Sequence, residues 1–437
     1  MSLTVAAFML LYVALAVACI IRHPVYGIIG YYITYILSPA ARWWGEPLAA
    51  MGFRYSFIMA FIAAVGLGLY AAREKTSKSI SRQEVFLWLL VGIVWLAGFF
   101  TPPLAGGEDQ AVKLTKTALM IFILKRSVTD LPKFRWLIWA LVLASFYGAL
   151  DTRLMADRIG SRIQAGSGGS DFLEGNFLAA HLAMMLPFAA MLFLRSRWPV
   201  RIFLAAASAV IVDAIIQCRS RGAFLAIAAG VLVALPFAPS RTRKAIFALT
   251  LVGALGGFLL IDKGFMDRMA TINPGLDVEE QDASSGGRIL AWKAAISMAA
   301  DNPLGVGYNN FKPLLENYAP SIPGMDTHNT YLRCLAELGF QGFALLLLLI
   351  GNSLWQSHRL RRQLAATSRD HEYALWSYTI GVGLAIYLVA GMFISTTYIE
   401  EFYVILLLPD VLSALYASSR KPVQEENLAL SAEGARP

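Results

Sequence analysis

The sequence has little charge and almost no cysteine. Lys, Arg, Asp and Glu make up 15% of the 437 residues, against about 25% in an ordinary soluble domain. The three cysteines, Cys19, Cys218 and Cys334, form no CxxC pair and have no metal-ligand spacing. A disulfide scaffold, a zinc site, a Rossmann-type enzyme and a repeat solenoid are therefore excluded, and redox chemistry is not expected.

Apolar residues dominate instead, at 57% of the chain. A helix needs about 20 mostly apolar residues to cross the hydrocarbon core of a bilayer. Stretches of this kind fall at 3–21, 24–38, 55–72, 84–101, 112–124, 134–150, 177–194, 200–217, 222–238, 244–261, 337–354, 373–394 and 400–417. They predict an all-α polytopic membrane protein with about 12 or 13 transmembrane helices, of which 24–38 and 112–124 are the shortest.

Lys and Arg are concentrated in alternate loops. They are Arg73, Lys75, Lys78 and Arg82; Lys125, Arg126, Lys133 and Arg135; Arg195, Arg197 and Arg201; Arg241, Arg243 and Lys244; and Arg359, Arg361, Arg362 and Arg369. Because positive loops are retained in the cytoplasm, these loops are predicted to be cytoplasmic. The same bias accounts for the net charge of +8 without a nucleic-acid partner. The side of the N-terminus stays open.

The opposite face would then hold 102–111, 151–176, 218–222, 262–336 and 395–399. This divides the chain into N-terminal transmembrane helices (1–261), an external loop with short helices (262–336), C-terminal transmembrane helices (337–417) and a cytoplasmic tail (418–437). The first basic residue, Arg22, follows the first apolar run, so 3–21 is expected to be an uncleaved span. Long loops in compact proteins are usually functional, so the chemistry is expected in 262–336.

Four arginines, Arg219, Arg221, Arg268 and Arg288, break the charge bias on the external face. Arg219 and Arg221 lie between two predicted helices at the level of lipid phosphates, and Arg288 is expected in the first turn of an amphipathic helix over 289–300. A guanidinium group binds phosphate oxygens through two parallel hydrogen bonds, which Lys cannot do. The alternatives are arginines bound to lipid headgroups and, for Arg288, a folded cap built around Trp292.

The segment that contains His328 leads directly into the apolar stretch at 337–354. Asp326 or Thr327 is suited to cap a helix that begins in this segment, which would place the His328 imidazole at the helix N-terminus. The positive end of the helix dipole disfavours the protonated ring and keeps a neutral base available. The alternative is a surface histidine without a role.

Other residues give weaker signals. Asp213 lies in an apolar helix and could orient the arginines or join two helices. Lys113 and Lys116, near the external end of a short helix, are weaker candidates for a phosphate site. Asn329 and Tyr331 flank His328 as possible supporting residues. The acidic residues Asp277, Glu279, Glu280 and Asp282 could bind a cation but lack fixed ligand spacing, which favours a solvated loop, and Glu400 and Glu401 receive no assignment.

Together these residues resemble the O-antigen ligase and polymerase superfamily of bacterial inner-membrane enzymes. The motifs are Ser220-Arg221-Gly222; Arg288 with Trp292, Pro303, Gly305, Gly307 and Phe311; and His328 with Tyr331, Glu337, Gly339 and Gly342. Their order and loop placement are more specific than any one of them. The N-terminal half, including Pro24, Gly27, Pro39, Gly45, 162–170 and 176–187, also resembles the branch of exosortase-associated O-glycosylation ligases.

The resemblance implies a multi-pass inner-membrane glycosyltransferase with a periplasmic active site, which uses neither a metal nor a nucleotide sugar. Arg221 and Arg288, with Arg219 beside them, would bind the diphosphate of an undecaprenyl-diphosphate-linked glycan in the bilayer. His328 would be the general base, and one displacement would invert the anomeric carbon. The acceptor would be lipid A-core in a ligase, which is favoured, another lipid-linked glycan in a polymerase, or a protein in an O-oligosaccharyltransferase.

A flippase or other transporter of lipid-linked glycans is the alternative from a different class. Such proteins tend to contain internal repeats and several charged residues near the membrane midplane. The sequence contains no detectable repeat, and Asp213 is nearly alone within an apolar run. These features favour an enzyme that works on one face of the membrane.

Overall fold

The computed structural model describes residues 3–74, 79–104, 109–155, 158–159, 162–163, 170–172, 174–239, 242–261, 263, 266, 283–365 and 371–433. The helices are α1 (Leu3–Ile21), α2 (Val25–Leu37), α3 (Glu46–Ala50), α4 (Tyr55–Glu74), α5 (Arg82–Phe100), α6 (Gln110–Ser127), α7 (Leu131–Met155), α8 (Gly175–Arg195), α9 (Trp198–Cys218), α10 (Arg221–Phe237), α11 (Arg243–Leu260), α12 (Ala283–Asp301), α13 (Phe311–Tyr318), α14 (Thr330–Ala365), α15 (His371–Ala390) and α16 (Glu400–Glu433). Short 3-10 turns lie at Pro39–Ala41 and Ser170–Phe172, and β1 (Arg158–Ile159) pairs antiparallel with β2 (Arg162–Ile163).

Every apolar stretch predicted from the sequence forms a helix. In the described part of the chain, 10 helices are long and apolar enough to cross a membrane, and α2 and α10 are shorter apolar helices. The predicted stretch 112–124 extends to 18 residues as α6, which carries polar and basic residues at its ends. The chain is an all-α polytopic membrane protein.

The bundle is most closely packed around α8, α15 and α16. Between 67% and 72% of the residues in their apolar spans are buried, whereas none of the span of α11 is buried. Trp376, Tyr387 and Phe402 are among the largest fully buried side chains. The α8, α15 and α16 helices thus form the interior, and the apolar surface of α11 is left for lipid.

Contacts at the helix ends define two faces. On the face that we call the basic face, Lys125 and Arg126 at the end of α6 bind Glu84 at the start of α5, at 2.8 and 2.5 Å. At the other end, which we call the site face, the ring of Phe8 near the start of α1 lies 5.5 Å from Trp44 and 5.9 Å from Tyr55. The α1 helix therefore begins on the site face.

A break in α14 connects the long loop to the membrane bundle. Gly339 has φ 68° and ψ −170°, so the helical hydrogen-bond ladder is interrupted there. The turn at 303–307 fills the gap: Val306 N–H donates to Ala336 O at 3.0 Å, Gly307 N–H to Glu337 O at 2.9 Å, and Phe340 N–H to Pro303 O at 3.0 Å. Buried backbone groups that α14 cannot satisfy by itself are satisfied by the turn.

Two glycines make this contact possible. Gly305 has φ 86°, and a Cβ atom built on it would lie 2.5 Å from both Glu337 O and Gly339 N. A Cβ atom on Gly339 would lie 2.4 Å from Pro303 O. Both obstacles are backbone atoms, which cannot rotate away as a flexible side chain can. Pro303, Gly305 and Gly339 thus have a packing role.

We expect Gly305→Ala to destabilise the protein much more than Gly324→Ala. Both positions have a positive φ in the same loop, which costs an alanine about 1 to 2 kcal/mol. Nothing lies within 4 Å of a Cβ at Gly324, so only Gly305→Ala adds a backbone clash. Thermal unfolding in detergent should show a clearly larger loss in midpoint for Gly305→Ala; equal losses would contradict the packing role.

Candidate active site

His328 lies in a sharp turn directly before α14. Asn329 Oδ1 accepts hydrogen bonds from Tyr331 N–H and Leu332 N–H, both at 3.0 Å, so Asn329 caps the helix. The prediction that Asp326 or Thr327 is the cap was wrong, because His328 has a φ of 44° and the chain turns once more before the helix begins. The cap also explains why α14 begins at Thr330, before the predicted boundary at 337.

The turn is bonded to the loop between α15 and α16, which we call the 391–399 loop. Thr330 N–H donates to Gly391 O at 2.8 Å, and the Thr330 hydroxyl donates to Ile394 O at 2.7 Å. The hydroxyls of Thr327 and Ser395 lie 3.0 Å apart. Thr327 and Thr330 are fully buried, so these bonds fix the backbone on both sides of His328.

Asp326 lies in a chain of ion pairs below the turn. Its Oδ2 atom lies 3.1 Å from Lys312 Nζ and 3.4 Å from Arg333 Nη1, and Arg333 Nε lies 3.3 Å from Glu337 Oε2. Burial raises the pKa of Asp326, but the positive charges of Arg333 and Lys312 outweigh it and hold that pKa well below its usual range. Asp326 is therefore ionised at neutral pH.

Arg288 lies on a helix that is bonded to the His328 turn. The α12 helix begins at Ala283, so Arg288 is in its second turn and not in the first, as was predicted. Trp292, one turn after Arg288, donates from Nε1 to Thr327 O at 2.9 Å. Residues four apart share a helix face, so Arg288 lies on the side of α12 that faces His328.

The half-buried imidazole of His328 has a lowered pKa. Burial is the main cause; the carboxylates of Asp326 and Glu174 raise the pKa, and the positive charges of Arg288 and Lys312 lower it. At neutral pH the ring is therefore neutral and can accept a proton. The Arg288 guanidinium thus lies close enough to His328 for its charge to lower the pKa of the ring.

Arg219 and Arg221 lie at the junction of α9 and α10. Arg219 ends α9 with a φ of 48°, and Arg221 is the first residue of α10, where the Ser220 hydroxyl accepts from Ala223 N–H at 3.3 Å. A Cβ on Gly222 would lie 2.5 Å from Phe393 Cβ, so this junction packs directly on the 391–399 loop. One loop thus contacts both the Arg221 helix and the His328 turn.

The weaker candidates have other partners. Lys113 Nζ lies 2.5 Å from Asp171 Oδ1, and Lys116 is exposed. Asp213 Oδ2 accepts from Gln217 at 2.8 Å and lies 2.7 Å from Arg153 on α7. Tyr331 donates its hydroxyl to Leu388 O at 2.5 Å. Asp213 thus joins two helices, which was one of its two predicted roles.

Several polar residues of the site face were not identified from the sequence. Glu174 and Lys312 act on His328 through their charges. Glu400 Oε2 accepts from Tyr31 at 2.6 Å, and Glu401 pairs with the buried His181. The signals were weak, because each residue is far in sequence from its partner.

No group of three or more metal-ligating side chains occurs in the described part of the chain. The predicted acidic run of Asp277, Glu279, Glu280 and Asp282 lies outside the described residues, as does Arg268. Cys19, Cys218 and Cys334 are buried, and no disulfide joins Cys218 to Cys334.

A family model described as O-antigen ligase matches residues 206–347. The matched region contains Arg221, Arg288 and His328 together with the turn at 303–307. No curated protein matches the chain.

We expect His328 to titrate below the usual imidazole pKa of about 6.5. Diethyl pyrocarbonate modifies only the neutral ring, so His328 should react at pH values at which an ordinary histidine is protonated. Peptide mass spectrometry would measure the modified fraction of His328, with a short histidine peptide as the reference in the same sample. A His328 curve at or above that of the reference peptide would contradict the account.

Proposed function

Because the chain belongs to the O-antigen ligase superfamily, we propose that it is a glycosyltransferase of the bacterial inner membrane. It moves a glycan from undecaprenyl diphosphate to an acceptor hydroxyl. The site face is periplasmic, since the loops at the other end carry most of the Lys and Arg residues.

The observation that carries this proposal is that the 391–399 loop contacts both the start of α10, which carries Arg221, and the His328 turn, to which the Arg288 helix is bonded. The Trp292 to Thr327 hydrogen bond, at 2.9 Å, joins the Arg288 helix to the His328 turn. Gly222 packs on Phe393 and brings the start of α10 to the same loop. Two permanent cations and one neutral base thus lie at one end of the bundle, where lipid phosphates lie.

The chemistry needs no further group. Arg221 and Arg288 bind the diphosphate oxygens and stabilise the negative charge that grows on them as the bond to the sugar breaks. His328 takes the proton of the acceptor hydroxyl, whose oxygen attacks the anomeric carbon from the opposite side. One bond forms and one breaks, so the anomeric configuration inverts, and the leaving electron pair stays on undecaprenyl diphosphate.

For the acceptor we propose lipid A-core, which makes the protein an O-antigen ligase. A lipid-linked glycan, as in a polymerase, is the second candidate, and a protein hydroxyl is the third. A lipid-linked glycan flippase would need the glycan to cross the membrane. The candidate residues instead lie together at one face, which favours transfer.

We expect His328→Ala to reduce transfer about 100- to 10,000-fold, the usual contribution of a general base. Purified protein in detergent would be given undecaprenyl-diphosphate glycan with lipid A-core, glycan-lipid or peptide acceptor, with EDTA present. Donor affinity should be unchanged, since the base does not hold the diphosphate. The matched control is His358→Ala, on the basic face.

Product with one acceptor, lost only in His328→Ala, supports a metal-independent transferase and identifies its branch. Full activity in His328→Ala would show that His328 is not the general base. Failure with all three acceptors, together with intact donor binding, would favour a transporter.

We expect Arg221→Lys and Arg288→Lys each to weaken donor binding and turnover by about 10- to 100-fold. Lysine keeps the charge but cannot form the paired hydrogen bonds to phosphate, each worth about 1.5 to 3 kcal/mol. Isothermal titration with undecaprenyl diphosphate and single-turnover kinetics would measure the two effects. Arg135→Lys, an ion-paired arginine on the basic face, is the control; unchanged affinity in both site variants would contradict the diphosphate role.

A further inference from the structure

Asp326 is bound to the backbone of His328. Its Oδ1 atom accepts from His328 N–H at 3.3 Å, from the Thr327 hydroxyl at 3.2 Å and from the Ser395 hydroxyl at 2.6 Å. One carboxylate oxygen thus binds three parts of the structure: Thr327, which precedes His328; His328 itself; and Ser395 of the 391–399 loop. The φ of 44° at His328 is unfavourable for this residue and needs such support.

The carboxylate is itself held in place. Lys312 and Arg333 bind its second oxygen, and Arg333 is fixed in turn by Glu337. Glu337 also accepts from the Tyr398 hydroxyl at 2.8 Å and from Phe311 N–H at 3.4 Å. The side chain of Asp326 is only 15% exposed and that of Glu337 only 1%. Asp326 is therefore a rigid negative charge beside the base.

We propose that Asp326 is a positioning residue for the base: it fixes the backbone of His328 and provides the negative charge that stabilises the imidazolium formed when the acceptor proton is taken. The proposal rests on the proposed role of His328. Asp326 gains and loses no proton itself; the proton moves from the acceptor oxygen to the imidazole and then to water.

The need for this charge follows from the other groups around His328. Arg288 and Lys312 are positive and oppose protonation of the ring, and burial opposes it as well. Glu174, before α8, and Asp326 are the two carboxylates that act against them. Arg288 is required at the diphosphate, so the site needs a fixed anion to keep the adjacent base strong enough.

The test is Asp326→Asn, which keeps an oxygen acceptor for the three hydrogen bonds and removes the charge. Loss of the charge should lower the pKa of His328 by about one unit. The acid limb of the transfer rate would then move about one pH unit lower, while the plateau rate falls several-fold because the base is weaker. Asp326→Glu, which keeps the charge, should leave the limb in place.

Two controls separate charge from structure. Ser395→Ala removes one hydrogen bond of Asp326 but no charge, and it should leave the acid limb unmoved. Asp130→Asn makes the same substitution on the basic face, at a carboxylate paired with Lys133, and should change neither plateau nor limb. If Asp326→Asn lowers the plateau without moving the limb, Asp326 is only structural and the proposal is wrong.

A second measurement does not depend on transfer. The pH dependence of His328 modification by diethyl pyrocarbonate should shift lower in Asp326→Asn and higher in Lys312→Gln, which removes an opposing positive charge. Lys312 is 49% exposed, so its variant is expected to fold. Unshifted curves in both variants would overturn the proposal. If Asp326→Asn does not fold, an unshifted curve in Lys312→Gln would overturn it. Shifted curves in an inactive protein would instead contradict the proposed function.

Discussion

The site depends on how the N-terminal turn of α14 is bonded to the 391–399 loop. Thr330, fully buried, donates from its backbone and its hydroxyl to carbonyl oxygens of that loop, and the hydroxyl also accepts from Thr396 N–H at 2.9 Å. Polar groups buried at the end of a membrane bundle must be paired, so the turn has little freedom. This connection fixes the backbone of the turn that carries His328, the proposed base, and the same loop contacts the start of α10.

The segment 283–329 is also bonded to α14 at a second point. The break in α14 at Gly339 leaves backbone groups that the 303–307 turn satisfies, with Gly305 and Gly339 in direct backbone contact. Because α12 leads into this turn, its position relative to α14 is set by hydrogen bonds at two points: at the turn that follows α12, and at Trp292 in the middle of α12. Arg288 on α12 is therefore held in a fixed position relative to the turn that carries His328.

Much of this could be predicted from the sequence. Apolar length predicted the membrane helices of the described residues, and the sequence also placed Arg219 and Arg221 at the junction of two helices. The cap at Asn329 was missed because His328 adopts a left-handed backbone conformation, which cannot be predicted from the residue type. Partners distant in sequence were also missed: Lys113 with Asp171, Asp213 with Arg153, and Asp326 with Lys312. Local spacing carries no information on such pairs, and only packing of the bundle brings them together.

The central claim is that Arg221, Arg288 and His328 share one diphosphate site at the site face. A cryo-EM structure of the purified protein with undecaprenyl diphosphate tests it most directly. The account predicts diphosphate density between the guanidinium groups of Arg221 and Arg288, with the His328 imidazole facing the position of the transferred sugar and the lipid tail leaving toward the bilayer. Diphosphate density elsewhere, for example at Lys113 and Lys116 with neither arginine in contact, would contradict it.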